Sequence, residues 1–360
     1  REAEQLDFSP LGTTTAHKLV VYDKQENVIV SCDRVTIDFG IADLLRGNFA
    51  VERIKHVTLE GARIDLSQDA TGKWNIEGLF KPISDDSQHF LGEVKVRGGS
   101  VSVSGQKGLT RLEQVEGALD FTSYPDVRAL LAGRLGESNI TAEGYWNASG
   151  AMKMNLQADR LESRQMMMVI PSVDKFAFQS GYLYDLKAVL HRDKGPVKIE
   201  SDAFLSGLDA EIAGVKITDM QGRIRFADNI LEIQDAGLLY DGQKLAANGT
   251  IDLTASKPRF DFIVKAESLD LKALLPKSPV VGTISFQVHG KGSPEELEVS
   301  GNFSIPAGAV SSTSFTDATG TFDFAKNILT FKTVNLESLG GRLSLSGAWD
   351  LKNALFKMDI

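Results

Sequence analysis

Five histidines, His17, His56, His89, His191 and His289, are the residues of this 360-residue chain best suited to proton transfer or metal binding, and they are scattered. Zinc sites on a helix need H-E-x-x-H or a similar one-turn spacing, and neither that nor H-x-x-x-H occurs. Asp65, Ser67, Asp69, Thr71 and Gly72 have some look of a calcium loop. Their acid and glycine spacing departs from D-x-[DN]-x-[DN]-G, so the stretch reads as a polar turn. Gly290-Lys291-Gly292 opens no helical pattern and does not make a dinucleotide site. No G-x-x-x-x-G-K-[ST] phosphate loop is present, and the single Cys32 excludes an intrachain disulfide or a thiolate zinc cluster. The chain is therefore expected to be no enzyme and to need no cofactor or metal.

Composition narrows the partners. A net charge of −9 without a basic block argues against nucleic acid, which demands a Lys/Arg stripe, and against docking on an anionic membrane surface. No run approaches the roughly 18 apolar residues of a membrane span, so the segment is expected to be soluble. It begins at Arg1 without methionine and stops at Phe356, Met358 and Ile360, inside an alternating pattern. It reads as a piece of a longer protein whose signal or anchor lies upstream.

The elements that carry these residues repeat. Residues 218–253 and 316–351 align without a gap at an offset of 98, and 14 of the 36 pairs are identical, among them Thr218/Thr316, Gly222/Gly320, Phe226/Phe324, Asn229/Asn327, Gly249/Gly347 and Asp252/Asp350. A weaker copy lies earlier, where Gly117, Phe121 and Gly144 match Gly222, Phe226 and Gly249. The segments that follow Ala158 and Ala266 also resemble each other. A period near one hundred residues implies units of several strands that bury one another's edges, and hence an elongated architecture. The division expected is 1–92, then degenerate repeat 93–191, repeat 192–290 and truncated repeat 291–360, within one continuous sheet.

Nearly every segment alternates with period two, which sends apolar side chains to one face of a sheet and Ser, Thr, Asp, Lys and Arg to the other. The apolar face comprises Val94, Val96, Val101 and Val103; Ile224, Phe226, Leu231 and Ile233; and Phe260, Phe262, Val264, Ile284, Phe286 and Val288. It continues through Val299, Phe303, Ile305, Phe322, Phe324, Leu329 and Phe331 to Leu343, Leu345, Trp349, Phe356 and Met358. Turn signals at 70–72, Gly98-Gly99, Asp228-Asn229, Asp241-Gly242, Lys326-Asn327 and Gly340-Gly341 separate the runs. They predict tight hairpins and an antiparallel meander, since parallel pairing needs long crossovers. Helical pattern is confined to Ile41–Arg46, Leu161–Met168 and Leu269–Leu275, too little to cover the apolar face.

Three things remain to cover it: a second sheet, a roll of the same sheet, or a ligand. The open-ended repeat and the excess of Phe, 19 against 6 Tyr and 3 Trp, favour a wall that meets hydrocarbon. Met152, Met154 and Met166–Met168 read either as a pliable apolar patch or as a joint between repeats.

Residues 35–80 resemble the amino-terminal segment of the AsmA/TamB-like proteins. The features that carry the resemblance are a strand, the short "LL-G" helix at Asp43–Gly47, the strand pair Val51–Leu66, and the turn with Gly72, Trp74 and Asn75. The pattern G-x-hydrophobic-x-F…N-x-L…G-x-L…G-x-W/I-D-L of the late copies is similar to that family's repeat. The resemblance implies an all-β, elongated, curled antiparallel sheet (a β-taco or β-groove) with a few short helices. It implies a periplasmic, non-enzymatic conduit for phospholipid acyl chains between inner and outer membranes, tethered by an N-terminal helix outside this segment. An alternative implied function is a scaffold for outer-membrane β-barrel assembly, with a barrel protein as partner and strand addition at sheet edges as the mechanism.

Overall fold

The computed structural model describes residues 3–9, 12–22, 26–39, 50–67, 75, 89–105, 108–147, 150–166, 176–212, 215–255, 257–274, 278–350, 352–353 and 355–359. The chain is all β, with 22 strands and only short helical pieces among the described residues. It forms two compact units, residues 1–161 with 185–200, and residues 162–184 with 201–360. No described helix is long and apolar enough to cross a membrane.

The first unit contains β1 (Gln5–Phe8), β2 (Thr13–Tyr22), β3 (Val28–Phe39), β4 (Ile54–Glu60), β5 (Arg63–Ser67), β6 (Glu93–Gly105), β7 (Gly108–Asp120), β8 (Asp126–Leu135), β9 (Ser138–Asn147) and most of β10 (Met152–Glu162). Strands β1 to β3 pair antiparallel in sequence order, as do β6 to β10. Between these runs the expected meander is broken. Strands β4 and β5 lie end to end in a single strand position, both antiparallel to β3 and both parallel to β6. The chain between Ser67 and Glu93 is long enough for the crossover that parallel pairing requires, a length the turn-to-turn spacing elsewhere does not offer. Asn75 ties the start of this connection to β5: its Oδ1 accepts from the Ser67 N–H at 3.0 Å and its amide donates to the Asp65 carbonyl at 2.8 Å. The features expected at 41–46, Asp43–Gly47, 70–72 and Trp74 lie outside the described residues.

Strands β11 (Phe176–Arg192) and β12 (Lys198–Ile212) contribute to both units. The second unit then runs through β13 (Val215–Ala227), β14 (Ile230–Tyr240), β15 (Gln243–Asp252), β16 (Arg259–Asp270), β17 (Val280–Ser293), β18 (Glu296–Val310), β19 (Thr313–Ala325), β20 (Ile328–Ser338), β21 (Gly341–Asp350) and β22 (Leu355–Asp359). From β12 onward each strand pairs antiparallel with the next. Helix α1 (Ser163–Met166) follows β10, and α2 (Leu271–Leu274) links β16 to β17. Both helical segments are shorter than their sequence pattern suggested at the start, because Leu161 and Leu269 still belong to strands.

The hairpin turns follow the side-chain chemistry. Asp228-Asn229 (φ 51° and 61°), Asp241-Gly242 (48° and 74°) and Lys326-Asn327 (53° and 63°) take the paired positive φ angles of two-residue turns that match strand twist. Two turn assignments change. The last hairpin is centred on Leu339-Gly340, one residue before the expected Gly340-Gly341. Gly98-Gly99 makes no hairpin at all: Gly98, at φ 59°, sits inside β6 at a bulge where register shifts between Val96 and Val101. A Cβ there would meet nothing within 4 Å, so glycine is needed for the backbone angle alone.

Such bulges recur at nearly one level across the strands of the second unit. In the second unit they interrupt β12 at Leu205–Ala210, β13 near Asp219, β14 near Asp235, β16 at Ala266–Leu269, β17 at Gly282–Ser285, β19 near Asp317 and β20 at Phe331–Val334. Each inserts an extra residue and bends its strand, so the aligned set makes a crease about which the sheet curls. Side chains on the concave side of that crease are the most buried. Ala266, Leu269, Leu271, Ile284, Ile305, Phe315 and Ala318 form one core cluster, against which Leu245, Val280, Phe286, Phe303 and Leu336 pack. A smaller cluster in the first unit joins Cys32, Val35 and Ala62.

The candidate apolar face

Register shows how the apolar positions of the second unit relate. Ile224 stands opposite Ile233, Phe226 opposite Leu231, and Leu231 opposite Ile251, which faces Phe260. Val264 meets Val288, Phe286 meets Phe303, and Val299 meets Phe324. Ile305 lies opposite Ala318, Phe324 opposite Leu329, Phe322 opposite Phe331, Leu329 opposite Trp349, and Leu336 opposite Leu343. Leu345 faces Val334, and Leu269 faces Ile284. Directly opposed residues in a sheet point to the same side. All twenty of the candidate residues from Ile224 to Trp349 therefore share one face, and these opposed pairs contain no Asp, Glu, Lys or Arg.

Five of the phenylalanines on that face stand opposite glycine. Phe260 lies opposite Gly292, Phe262 between Gly249 and Gly290, Phe303 opposite Gly320, Phe322 opposite Gly301, and Phe331 opposite Gly347. At Gly320 the reason is visible: a Cβ would stand 2.6 Å from Cε1 and 2.7 Å from Cζ of Phe303, so the ring occupies the space a side chain would fill. Rings thus lie over glycine backbone and touch one another, with Phe303, Phe322 and Phe331 centroids 6.4–6.5 Å apart. The result is a low, continuous apolar floor.

Burial across it is graded. Ile233, Ile284 and Ile305, beside the crease, are 9%, 8% and 5% exposed, whereas Leu343 and Trp349 are 37% and 41% exposed. The other described candidates, including every Phe, are half-buried. Helix α2 closes one margin by placing Leu271 into the core cluster beside Ile284 and Phe315. Backbone pairing places Phe356 opposite Trp349 and Met358 opposite Gly347, but their side chains lie outside the described residues.

In the first unit Val94, Val96, Val101 and Val103 are half-buried on β6, on both sides of the Gly98 bulge. Further residues join this face without having been singled out from sequence: Leu119 opposite Val94, Leu131 opposite Ala142, and Leu156 opposite Ala142. Alternation was masked there by the run Ala129-Leu130-Leu131-Ala132, in which Leu130 points outward and is 60% exposed. Met152 and Met154 lie opposite Trp146 and Gly144 on the same face.

The opposite face is polar and carries cross-strand ion pairs. Arg223 donates twice to Asp202 (2.9 and 3.1 Å), Lys332 lies 2.5 Å from Asp323, and His289 lies 2.6 Å from Asp261. His17 and His56 likewise pair across strands with Asp7 and Glu93, His191 pairs with Asp193 two residues on, and His89 stacks on Tyr124. Among the described residues no group of three or more His, Cys, Asp or Glu converges as a metal site would require. The Cys32 thiol donates to the Arg34 and Glu60 carbonyls, and burial pushes its pKa up, away from a reactive thiolate. Strand ends are fastened by carboxylates. Asp120 and Asp252 accept from the hydroxyl and N–H of Thr122 and Thr254, and Asp350 accepts from Asn353, which holds all three below the usual carboxylate range.

No protein-family model matches this chain, and no curated protein or solved structure does either.

Proposed function

We propose that this chain is a non-enzymatic carrier surface on which the acyl chains of phospholipid lie and slide. The observation that carries the reading is the charge-free apolar face running in register from β13 to β21, with its phenylalanines half-buried. Each methylene withdrawn from water is worth about 0.8 kcal/mol, so a two-chain lipid with roughly 30 of them crosses water only at a cost on the order of 20 kcal/mol. An apolar floor removes most of that cost. Repeated Phe/Gly pairs supply near-equivalent positions with shallow minima, which suits movement better than one deep pocket. The resemblance of residues 35–80 to the AsmA/TamB-like proteins supports a location in the periplasm, tethered to the inner membrane and passing lipid towards the outer one.

A photo-crosslinking amino acid tests this directly. Placed at Phe286 or Phe324 it captures phospholipid during expression or on incubation with vesicles, whereas at Ser285 or Asp323, on the polar face, it does not. Equal labelling at all four positions, or none at any, overturns the reading.

A further inference from the structure

At one margin of the first unit's apolar face three aromatic rings meet. Phe90 packs edge-on against Phe121 (5.5 Å between centroids), and Phe121 against Trp146 (6.5 Å). Trp146 stands directly opposite Met152, the first residue of β10. Beside Gly150, two residues before Met152, lies Arg192, whose Nε donates to the Gly150 carbonyl at 2.5 Å. Arg192 continues the alternation on β11 that buries Ala188 and half-buries Leu190, and it is itself half-buried. Among the described residues it has no carboxylate partner; the neighbouring Asp193 pairs with His191 instead. A guanidinium carries five N–H donors in a planar fork, and among the described residues only the Nε–H is spent.

We infer that this margin is a headgroup station, where Arg192 binds the phosphate of an amphiphile whose chains lie on the apolar face. The inference rests on the carrier reading above and adds the chemistry of the cargo. Aromatic side chains grading into a cation reproduce the composition of a membrane–water interface, where an apolar body and a charged head meet. Guanidinium and phosphate form paired, charge-assisted hydrogen bonds, which a neutral head cannot make. The station favours lipids with an accessible phosphate over neutral glycerides of equal chain length.

The test compares phosphatidic acid with diacylglycerol of identical chains, offered to the 360-residue protein from the same neutral carrier vesicles and counted by native mass spectrometry. The wild type retains phosphatidic acid roughly tenfold more than diacylglycerol. In Arg192→Gln that ratio falls to near one while diacylglycerol uptake is unchanged, and Arg192→Lys keeps part of it. Should the Gln variant fail to fold, the wild type at high salt gives the same reading, because a half-exposed ion pair is screened and the ratio drops. A ratio near one in the wild type, or one indifferent to both substitution and salt, overturns the inference and leaves the carrier reading standing. Uptake of neither lipid refutes both. Displacement of phosphatidic acid by millimolar inorganic phosphate assigns the site to free phosphate and overturns the headgroup assignment.

Discussion

Substituting Phe322 by alanine and by glutamate in parallel asks whether the apolar face is open. Phe322 touches Phe303 and Phe331 and lies opposite Gly301. Truncating a fully buried phenylalanine costs about 3–5 kcal/mol; this one is half-buried, so Phe322→Ala costs about 2 kcal/mol. What matters is the further step from Ala to Glu. In a sealed core an unpaired carboxylate adds several kcal/mol, because no water or partner replaces its solvation. On an open face the carboxylate reaches water, and the additional cost stays within about 1 kcal/mol. Urea unfolding of lipid-free protein, followed by far-ultraviolet circular dichroism, measures both steps, with Thr321→Glu on the polar face as the reference for an added charge. A Glu variant less stable than the Ala variant by more than about 3 kcal/mol refutes the open face. Lipid supplies the complementary reading. A soluble short-chain phospholipid at about one hundred times its Kd stabilises wild type by about 2.7 kcal/mol. The Glu variant, whose charge interrupts the floor, loses most of that increment.

Two further outcomes concern the scaffold. Leu339 holds φ 53° at the β20–β21 turn while 91% exposed, so Leu339→Asn, which tolerates that angle and loses no packing, raises stability by about 0.5–1 kcal/mol in the same urea assay; no gain means the angle is not strained. The Asp209 carboxyl is held below the usual range, first by the Ser180 hydroxyl (2.7 Å) and then by the N–H of Asp219 (3.0 Å) at the β13 bulge. A depressed folded-state pKa contributes stability that is complete above the unfolded carboxylate value of about 3.9 and is lost as pH falls through the folded value. Asp209→Asn, which does not titrate, therefore shows a smaller drop in urea midpoint between pH 7 and pH 3 than wild type, and equal drops refute the assignment.

The face of the sheet was legible because alternation is a local property. Phe260, Phe262 and Val264 need only the pleat to share a side, and register then carries that side to Val288 and Val299. The Asp228-Asn229 and Lys326-Asn327 turns were legible for a similar reason, since their side chains tolerate positive φ. The offset of 98 also maps Asp241-Gly242 onto Leu339-Gly340, a signal that places the last hairpin correctly and outweighs the local attraction of Gly340-Gly341.

Curvature left a fainter trace. A bulge adds one residue, so apolar positions change parity: Ala266 and Leu269 face the same way three residues apart, a spacing that also suits a helix. Gly98 fills the same role in β6 and reads as a turn because glycine tolerates positive φ. What distinguishes a bulge is its neighbour. The N–H it frees finds an acceptor on the adjoining strand, Glu116 for Gly98, Asn248 for Asp235 and Asp209 for Asp219, each many residues away in sequence. A pair so separated has no local signature, which is why the strands and their apolar side could be read from the chain while the crease that cups that side could not.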